Sequence, residues 1–374
     1  MAPPCFDRLS MRQINLDRQS RMTKPKVYVY IPSDKEGASH RALEQAGCEL
    51  MFGDPTWRAA LGATLPTFQA KGPGAVAMLG ARMEGLTMDR KLLAPYPDLR
   101  IIARYNIGYD DIDLDDCTDM GILVTHAPVE SNWGGVAEGA FAMMLSMLKR
   151  LPELDREVRG GGWRKPELNG TFMGRRQDGY GGITVGIVGL GRIGSRLADL
   201  LAPWRVRVLA YDPYVDESKF VHHNATPSDL ETLLKESDVV TLHCDLNKDT
   251  RGLIGKESLK LMKPSAILIN TARGPLVDED ALYDALDNNR LRGAALDAFN
   301  VEPVPKQSPL LSLGDKVLLS PHMVGGSGGG VQGENIQWAT DAALAALRGQ
   351  IPRHIVNPDA LPAWRKRFEG KSLV

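Results

Sequence analysis

Four polar side chains stand directly behind apolar, strand-like runs in the second half of this 374-residue sequence: Arg273 in N-T-A-R-G, Asp297 in A-L-D-A-F, Glu302 in F-N-V-E-P and His322 in S-P-H. Each alone has an ordinary structural explanation, since Glu-Pro marks turns and an arginine after a strand can simply meet a carbonyl. Together they make up the set that reduction of a 2-keto acid requires. The planar guanidinium of Arg273 offers a bidentate fork to a carboxylate and can polarise a keto oxygen. His322 can hand a proton to that oxygen as hydride arrives, or remove it in the reverse direction. A carboxylate such as Glu302 beside the ring would stabilise the imidazolium and keep the acid form available.

A hydride needs a carrier, and residues 183–212 supply a place for one. An apolar, β-branched run (Ile183 to Val188) leads into Gly189, Gly191 and Gly194 at G-x-G-x-x-G spacing, then a helical pattern, then a second run ending in Asp212. The first glycine permits the tight turn, the second admits a pyrophosphate to the backbone, and the third allows close helix–strand packing. The helix start adds unpaired amides and a positive dipole end. Asp212 stands where such a unit places the acid that takes the ribose hydroxyls, and its charge favours NAD over NADP.

The remaining composition narrows the choice. Hydrophobic residues make up 43% and charged residues 24%, the proportions of an ordinary globular protein, and a net charge of −1 gives no electrostatic basis for binding nucleic acid. No apolar run reaches membrane-spanning length. Cys5, Cys48, Cys117 and Cys244 lack metal-ligand spacing and read as thiols of a reducing compartment, so no metal is expected and a cytoplasmic location is. Residues 1–24 are polar and basic without the apolar core of a secretory signal, and read as a poorly ordered tail.

The elements that must position these residues follow from the alternation of apolar runs and helical spacings. Runs at 27–31, 50–52, 75–79, 100–103 and 121–124 predict strands of a small α/β layer, with a helix at 38–46. The turn Tyr105-Asn106-Ile107-Gly108 follows one of them at a C-terminal sheet edge, where α/β folds bind ligands. A long helix is predicted over 131–150, apolar almost all round. Residues 160–182 read as a long loop. After Asp212 the alternation resumes, with strands at 238–242, 266–270, 293–297 and 317–320, giving a doubly wound sheet. Ser228 and Glu231 resemble a capping box. The glycine run 325–330 reads as a hinge before a helix over 334–347.

With G-L-G-R-I-G, Y-D-P, the L-H of T-L-H-C, T-R-G-L-I, N-T-A-R-G, A-L-D-A-F…E-P, S-P-H and a closing V-N-P in hand, the chain resembles the D-isomer-specific 2-hydroxyacid dehydrogenases from about Val27 to Pro358. The resemblance implies a Rossmann-type nucleotide-binding domain (128–323) inserted into a discontinuous, flavodoxin-like substrate domain (25–127 and 324–374). It places the site in a cleft and implies a homodimer built around the helix at 131–150. It implies that Arg273 binds and polarises substrate, that His322 is the acid/base with Glu302 as partner, and that Asp297 faces the nicotinamide carboxamide. Gly189, Gly191, Arg192, Ile193, Gly194, Asp212, His243, Thr271, Ala272 and Gly325 match further cofactor positions. The amides of the Tyr105–Gly108 turn match the site for the substrate carboxylate.

Several positions depart from the family pattern. Gly139 replaces the aromatic residue, His or Thr that usually follows V-A-E. The loop at 160–182 is longer than the common form. Leu79-Gly80-Ala81-Arg82 stands where phosphoglycerate-type relatives carry an Arg in R-S-x-T, which speaks against a phosphorylated substrate unless Arg82 leans in. Trp133 is placed to wall a substrate pocket or to pack. Glu302 separates the chain from the formate dehydrogenase branch. On the same scaffold, a phosphite-type dehydrogenase and an NADH-sensing protein like the C-terminal-binding corepressors are the alternatives.

Overall fold

A strand that is apolar along its whole length must be covered on both faces, and parallel sheets with helices on each side provide that cover. The computed structural model describes residues 24–31, 34, 37–53, 65–66, 68–70, 72–83, 86–326 and 333–374. The chain divides into two compact units, one comprising residues up to Pro128 and from Gln332 onward, the other Val129–Val331.

The first unit runs β1 (Lys26–Val29), α1 (Ala38–Gln45), β2 (Glu49–Phe52), β3 (Ala75–Gly80), α2 (Arg90–Leu93), β4 (Ile101–Arg104), α3 (Leu114–Asp119) and β5 (Leu123–Thr125). Its sheet is parallel, in the order β2-β1-β3-β4-β5. This 2-1-3-4-5 order is that of flavodoxin-like folds.

The second unit opens with α4 (Glu130–Lys149) and α5 (Leu151–Arg159), and continues β6 (Thr184–Val188), α6 (Arg192–Leu201), β7 (Arg207–Tyr211), α7 (Glu217–His222), β8 (Thr226–Pro227) and α8 (Leu230–Glu236). It closes with β9 (Val239–Leu242), α9 (Lys256–Leu261), β10 (Ile267–Asn270), α10 (Glu279–Asp287), β11 (Gly293–Leu296) and β12 (Val317–Leu319). Its parallel sheet has the order β12-β11-β10-β9-β6-β7-β8. Counted from β6 this is the 3-2-1-4-5-6 Rossmann order with one strand added, and the direction of winding reverses between β6 and β9. The chain then returns to the first unit with α11 (Glu334–Leu347) and α12 (Leu361–Phe368).

The strands β6, β9, β10 and β11 are buried throughout. Met143, Met144, Met147 and Leu148 of α4 join Val185, Ile187, Leu197 and Leu201 in one core, while Leu234, Leu242, Leu268 and Leu286 fill the other face of the sheet. In the first unit, α11 and α12 lay Ala343, Leu347 and Trp364 against Val27, Ala77 and Ile101.

Two local expectations are corrected and one helix is added. Helix α8 is capped by Asp229, whose carboxylate accepts the Thr232 amide at 2.8 Å, and not by Ser228. A separate helix, α5, follows α4 after Arg150, which takes a left-handed conformation (φ 56°). Gly325 is not a slack hinge residue, because a Cβ there would lie 2.4 Å from Val136 Cγ2 on α4. That packing keeps residues 324–326 with the second unit, so the return falls later than 323–324. The rest of the expected hinge, 327–330, and the expected tail, 1–23, lie outside the described residues.

Candidate active site

The turn after β6 is built for a close approach. Gly189 has φ +93°, and a Cβ there would meet the Cys244 amide nitrogen at 2.7 Å. A Cβ at Gly194 would sit 2.0 Å from Gly189 O, so the first turn of α6 lies directly on the glycine loop. Gly191, the N-cap of α6, differs: a Cβ there meets no atom within 4 Å, and no side chain caps the helix. Open space in front of uncapped amides is what a pyrophosphate needs. Arg192 is exposed in the first helical turn, whereas Ile193 packs partly into the core.

Asp212 follows β7 with its carboxylate oriented by two backbone amides, Leu190 to Oδ2 at 2.8 Å and Tyr214 to Oδ1 at 3.0 Å. Beside it is a hollow of about 500 Å³ whose lining includes Tyr211, Pro213, Phe220 and the acids Asp212, Glu217 and Asp229. Across the reversal, His243 follows β9. Its Nε2 pairs with Thr241 Oγ1 at 2.9 Å, while Nδ1 is buried without a partner among the described residues. Burial pushes the His243 pKa down to about 3, so the ring is neutral. Thr271 Oγ1, behind β10, is likewise buried and unpartnered. Two enclosed polar atoms, an open glycine cradle and an oriented acid fit a dinucleotide.

The polar residues behind β10, β11 and β12 form a second cluster. His322 Nδ1 lies 2.9 Å from Glu302 Oε1 and 3.0 Å from Oε2, and Glu302 Oε1 also accepts the Phe299 amide at 3.0 Å. With Nδ1 engaged, Nε2 of a ring 38% exposed is the nitrogen left to exchange a proton. His322 adopts φ +55°, a conformation non-glycine residues rarely hold without support. Asp297, 3% exposed, supplies support by accepting the next two amides, Met323 at 2.9 Å and Val324 at 3.2 Å. Its carboxylate therefore holds the histidine turn, a role the sequence reading did not give it.

Gly139 completes that support. A Cβ there would lie 2.5 Å from Val324 O and 2.6 Å from Val324 Cγ2, so the missing side chain is the notch that receives Val324. The departure after V-A-E is thus matched by a residue far along the chain.

Arg273 stands in a turn set by Asn270, whose Nδ2 donates to Arg273 O at 2.7 Å and whose Oδ1 accepts the Ala272 amide at 3.1 Å. Arg273 Nη1 in turn donates to Ala272 O at 2.7 Å. The next residue, Gly274, leaves 1.9 Å between a would-be Cβ and Phe299 C, so this turn packs on the loop that carries Glu302. Asn270 and Gly274 were readable within N-T-A-R-G but were not singled out. The Tyr105–Gly108 turn and the half-buried Arg82 belong to the first unit, Trp133 to the second. The loop at 160–182 is fastened to the end of α4 through Thr171 N to Leu148 O at 2.9 Å and Lys149 Nζ to Thr171 O at 2.8 Å.

Residues 141–324 match the family model described as D-isomer specific 2-hydroxyacid dehydrogenase, NAD binding domain. A glyoxylate reductase of Thermofilum pendens is 38% identical over 275 residues, covering 73% of this chain and 79% of the relative. The chain belongs to the D-isomer-specific 2-hydroxyacid dehydrogenase family. A D-3-phosphoglycerate dehydrogenase of Mycobacterium bovis is 36% identical over 311 residues, covering 81% of this chain but 57% of that protein. Among solved structures, a D-lactate dehydrogenase from Aquifex aeolicus complexed with NAD and lactic acid has a TM-score of 0.74 at 28% identity, covering 89% of this chain and 99% of its own. As a member of this family the chain is an oxidoreductase that interconverts 2-keto and 2-hydroxy acids with a nicotinamide dinucleotide. No helix among the described residues is long and apolar enough to cross a membrane.

Proposed function

We propose that the chain reduces a small, unphosphorylated 2-keto acid, glyoxylate being the first to test, to its (D)-2-hydroxy acid with NADH, and runs the reverse reaction with NAD. The observation that carries this reading is the His322–Glu302 pair, whose glutamate lies on the loop against which the Arg273 turn is packed. When bound, the nicotinamide supplies or accepts the hydride. Arg273 binds the substrate and polarises the keto oxygen, and the family resemblance makes the amides of Asn106, Ile107 and Gly108 carboxylate-binding groups. His322 Nε2 delivers the proton to that oxygen while the Glu302 charge offsets the charge on the ring. Gly189, Gly191, Arg192, Gly194, Asp212, His243, Thr271 and Ala272 line the dinucleotide site.

NAD is favoured over NADP because Asp212, Glu217 and Asp229 surround the hollow beside the ribose position, and the residues lining it include no cation to hold a 2′-phosphate. Cytoplasmic residence is part of the same reading, supported by free thiols at Cys48, Cys117 and Cys244. The deciding experiment is NADH and NADPH oxidation over a panel of 2-keto acids, with Arg273→Ala alongside. Arg273→Ala should lower kcat/KM by about two orders of magnitude or more while NADH binding is kept. Unchanged turnover in that variant, or a preference for NADPH, refutes the corresponding part.

A homodimer completes the reading. Helix α5 is amphipathic yet has no buried residue, and it exposes Leu151, Leu154 and Val158 near Trp163, which is 74% exposed. Its charges pair within the chain, Arg156 with Asp315, Asp155 with Arg159 and Glu157 with Lys165, which leaves the apolar stripe as the surface that a second copy related by a two-fold axis would cover. Leu154→Glu with Val158→Glu should elute as a monomer in light-scattering chromatography; a monomeric parent would remove the idea.

A further inference from the structure

The turn behind β4 is fastened through its carbonyl oxygens. Tyr105 O accepts from Asn335 Nδ2 at 2.7 Å, and Asn106 O from the Ala127 amide at 3.4 Å. Ile107 O pairs with His126 Nδ1 at 3.2 Å, and Gly108 O accepts from Arg104 Nη2 at 3.3 Å. A trans peptide carries its C=O and the following N–H on opposite sides. Drawing these successive carbonyls into the protein therefore turns the amides of Asn106, Ile107 and Gly108 outward. Within the described residues these amides donate to nothing, while the Tyr105 amide before them is used by Gly80 O at 3.0 Å.

Each anchor is itself held. Asn335 Oδ1 accepts the Ile336 amide at 3.0 Å, which aims Nδ2 at Tyr105 O. A carbonyl can only accept, so His126 Nδ1 carries the hydrogen. The His126 ring lies edge-on to Tyr109, with centroids 6.0 Å apart. Arg104 is fully buried and paired with Asp111 at 2.8 Å.

We propose that Asn335 and His126 are positioning residues that aim these three amides at the substrate carboxylate, an inference resting on the keto-acid reading above. Outward amides on successive peptides make an anion cradle with no side-chain charge, suited to a small monoanion. Neither residue touches the substrate. Asn335 opens α11, and His126 follows β5.

Asn335→Asp keeps the shape and removes the donor, and His126→Leu removes the ring donor. Both should raise KM for glyoxylate, or for the best acid of the panel, by roughly tenfold, the loss of about one aligned hydrogen bond. The kcat at saturation and the NADH Kd should stay within about threefold of the parent, on the same scale. His126→Asn, whose side-chain amide can occupy the Nδ1 position, should restore the parent KM. Parent protein that turns over no 2-keto acid overturns the reading beneath. Active parent enzyme with unchanged KM in both variants overturns this inference alone. A joint fall of kcat, NADH affinity and melting temperature without rescue by His126→Asn also overturns it, marking both residues as merely structural.

Discussion

Gly191 and Gly194 belong to one motif, yet alanine at each should fail differently. At Gly194 a Cβ would meet Gly189 O at 2.0 Å, a backbone atom that cannot swing aside. Relieving that overlap means moving α6 off the glycine turn, an overpacking penalty of about 1–3 kcal/mol. For a unit of this size that is roughly 2–12 °C in melting temperature. At Gly191 the Cβ enters open space with φ −71°, so the protein without cofactor should lose at most about 1 kcal/mol, the difference between glycine and alanine at an N-cap. In the reading proposed above, the same Cβ stands where the phosphates approach. Losing a charge-assisted contact there is worth about 1.5–3 kcal/mol, a Kd for NADH raised roughly ten- to hundredfold. NADH fluorescence titration and thermal melts on both variants separate the two effects. A Gly191→Ala variant that binds NADH like the parent would refute the claim that this glycine is kept clear for the pyrophosphate.

Gly139→Ala places a Cβ 2.5 Å from Val324 O and should disturb the histidine turn, lowering kcat by about ten- to hundredfold while the NADH Kd is kept. Stopped-flow turnover beside a binding titration checks this, and unaltered kcat would show that Val324 does not set His322. The folded state keeps His243 neutral, with its pKa pushed down to about 3 by burial, whereas the unfolded chain protonates near 6.5. The unfolded state therefore binds the extra proton between those values, so stability is undiminished above about 6.5 and is lost as pH falls towards 3. Urea midpoints measured between pH 7 and 5 should fall less steeply in His243→Gln than in the parent; parallel slopes would count against it.

Much of the fold was legible because its strands are apolar along their whole length and its helices carry one apolar stripe. The switch from one period to the other fell within a residue or two of the observed ends, as at Val206–Tyr211 against Arg207–Tyr211. At the candidate site the short motifs led to Glu302 and His322, and the structure brings that pair within hydrogen-bond distance. What escaped were pairings between distant positions. Val324 fills the notch of Gly139, Asp297 holds the amides after His322, and Asn335 bonds Tyr105 O from 230 positions further along the sequence. No local period encodes such partners. Helix α5 escaped for another reason: its apolar stripe, Leu151, Leu154 and Val158, buries no residue in its own unit, and residues 151–159 received no assignment from the sequence.

The split of the first unit around the second also sets an order of events during synthesis. The sheet β2-β1-β3-β4-β5 emerges from the ribosome early, but one face of it is sealed by Ile336, Ala343, Leu347 and Trp364, which lie near the end of the chain. A side chain such as Leu347 accounts for about 1.5–3 kcal/mol of burial when fully covered. Until α11 and α12 are made, Val27, Ala77 and Ile101 share that core only with earlier residues such as Leu43 of α1. The nascent protein therefore carries an apolar sheet face through most of its translation, and the closing helices are what end that exposure.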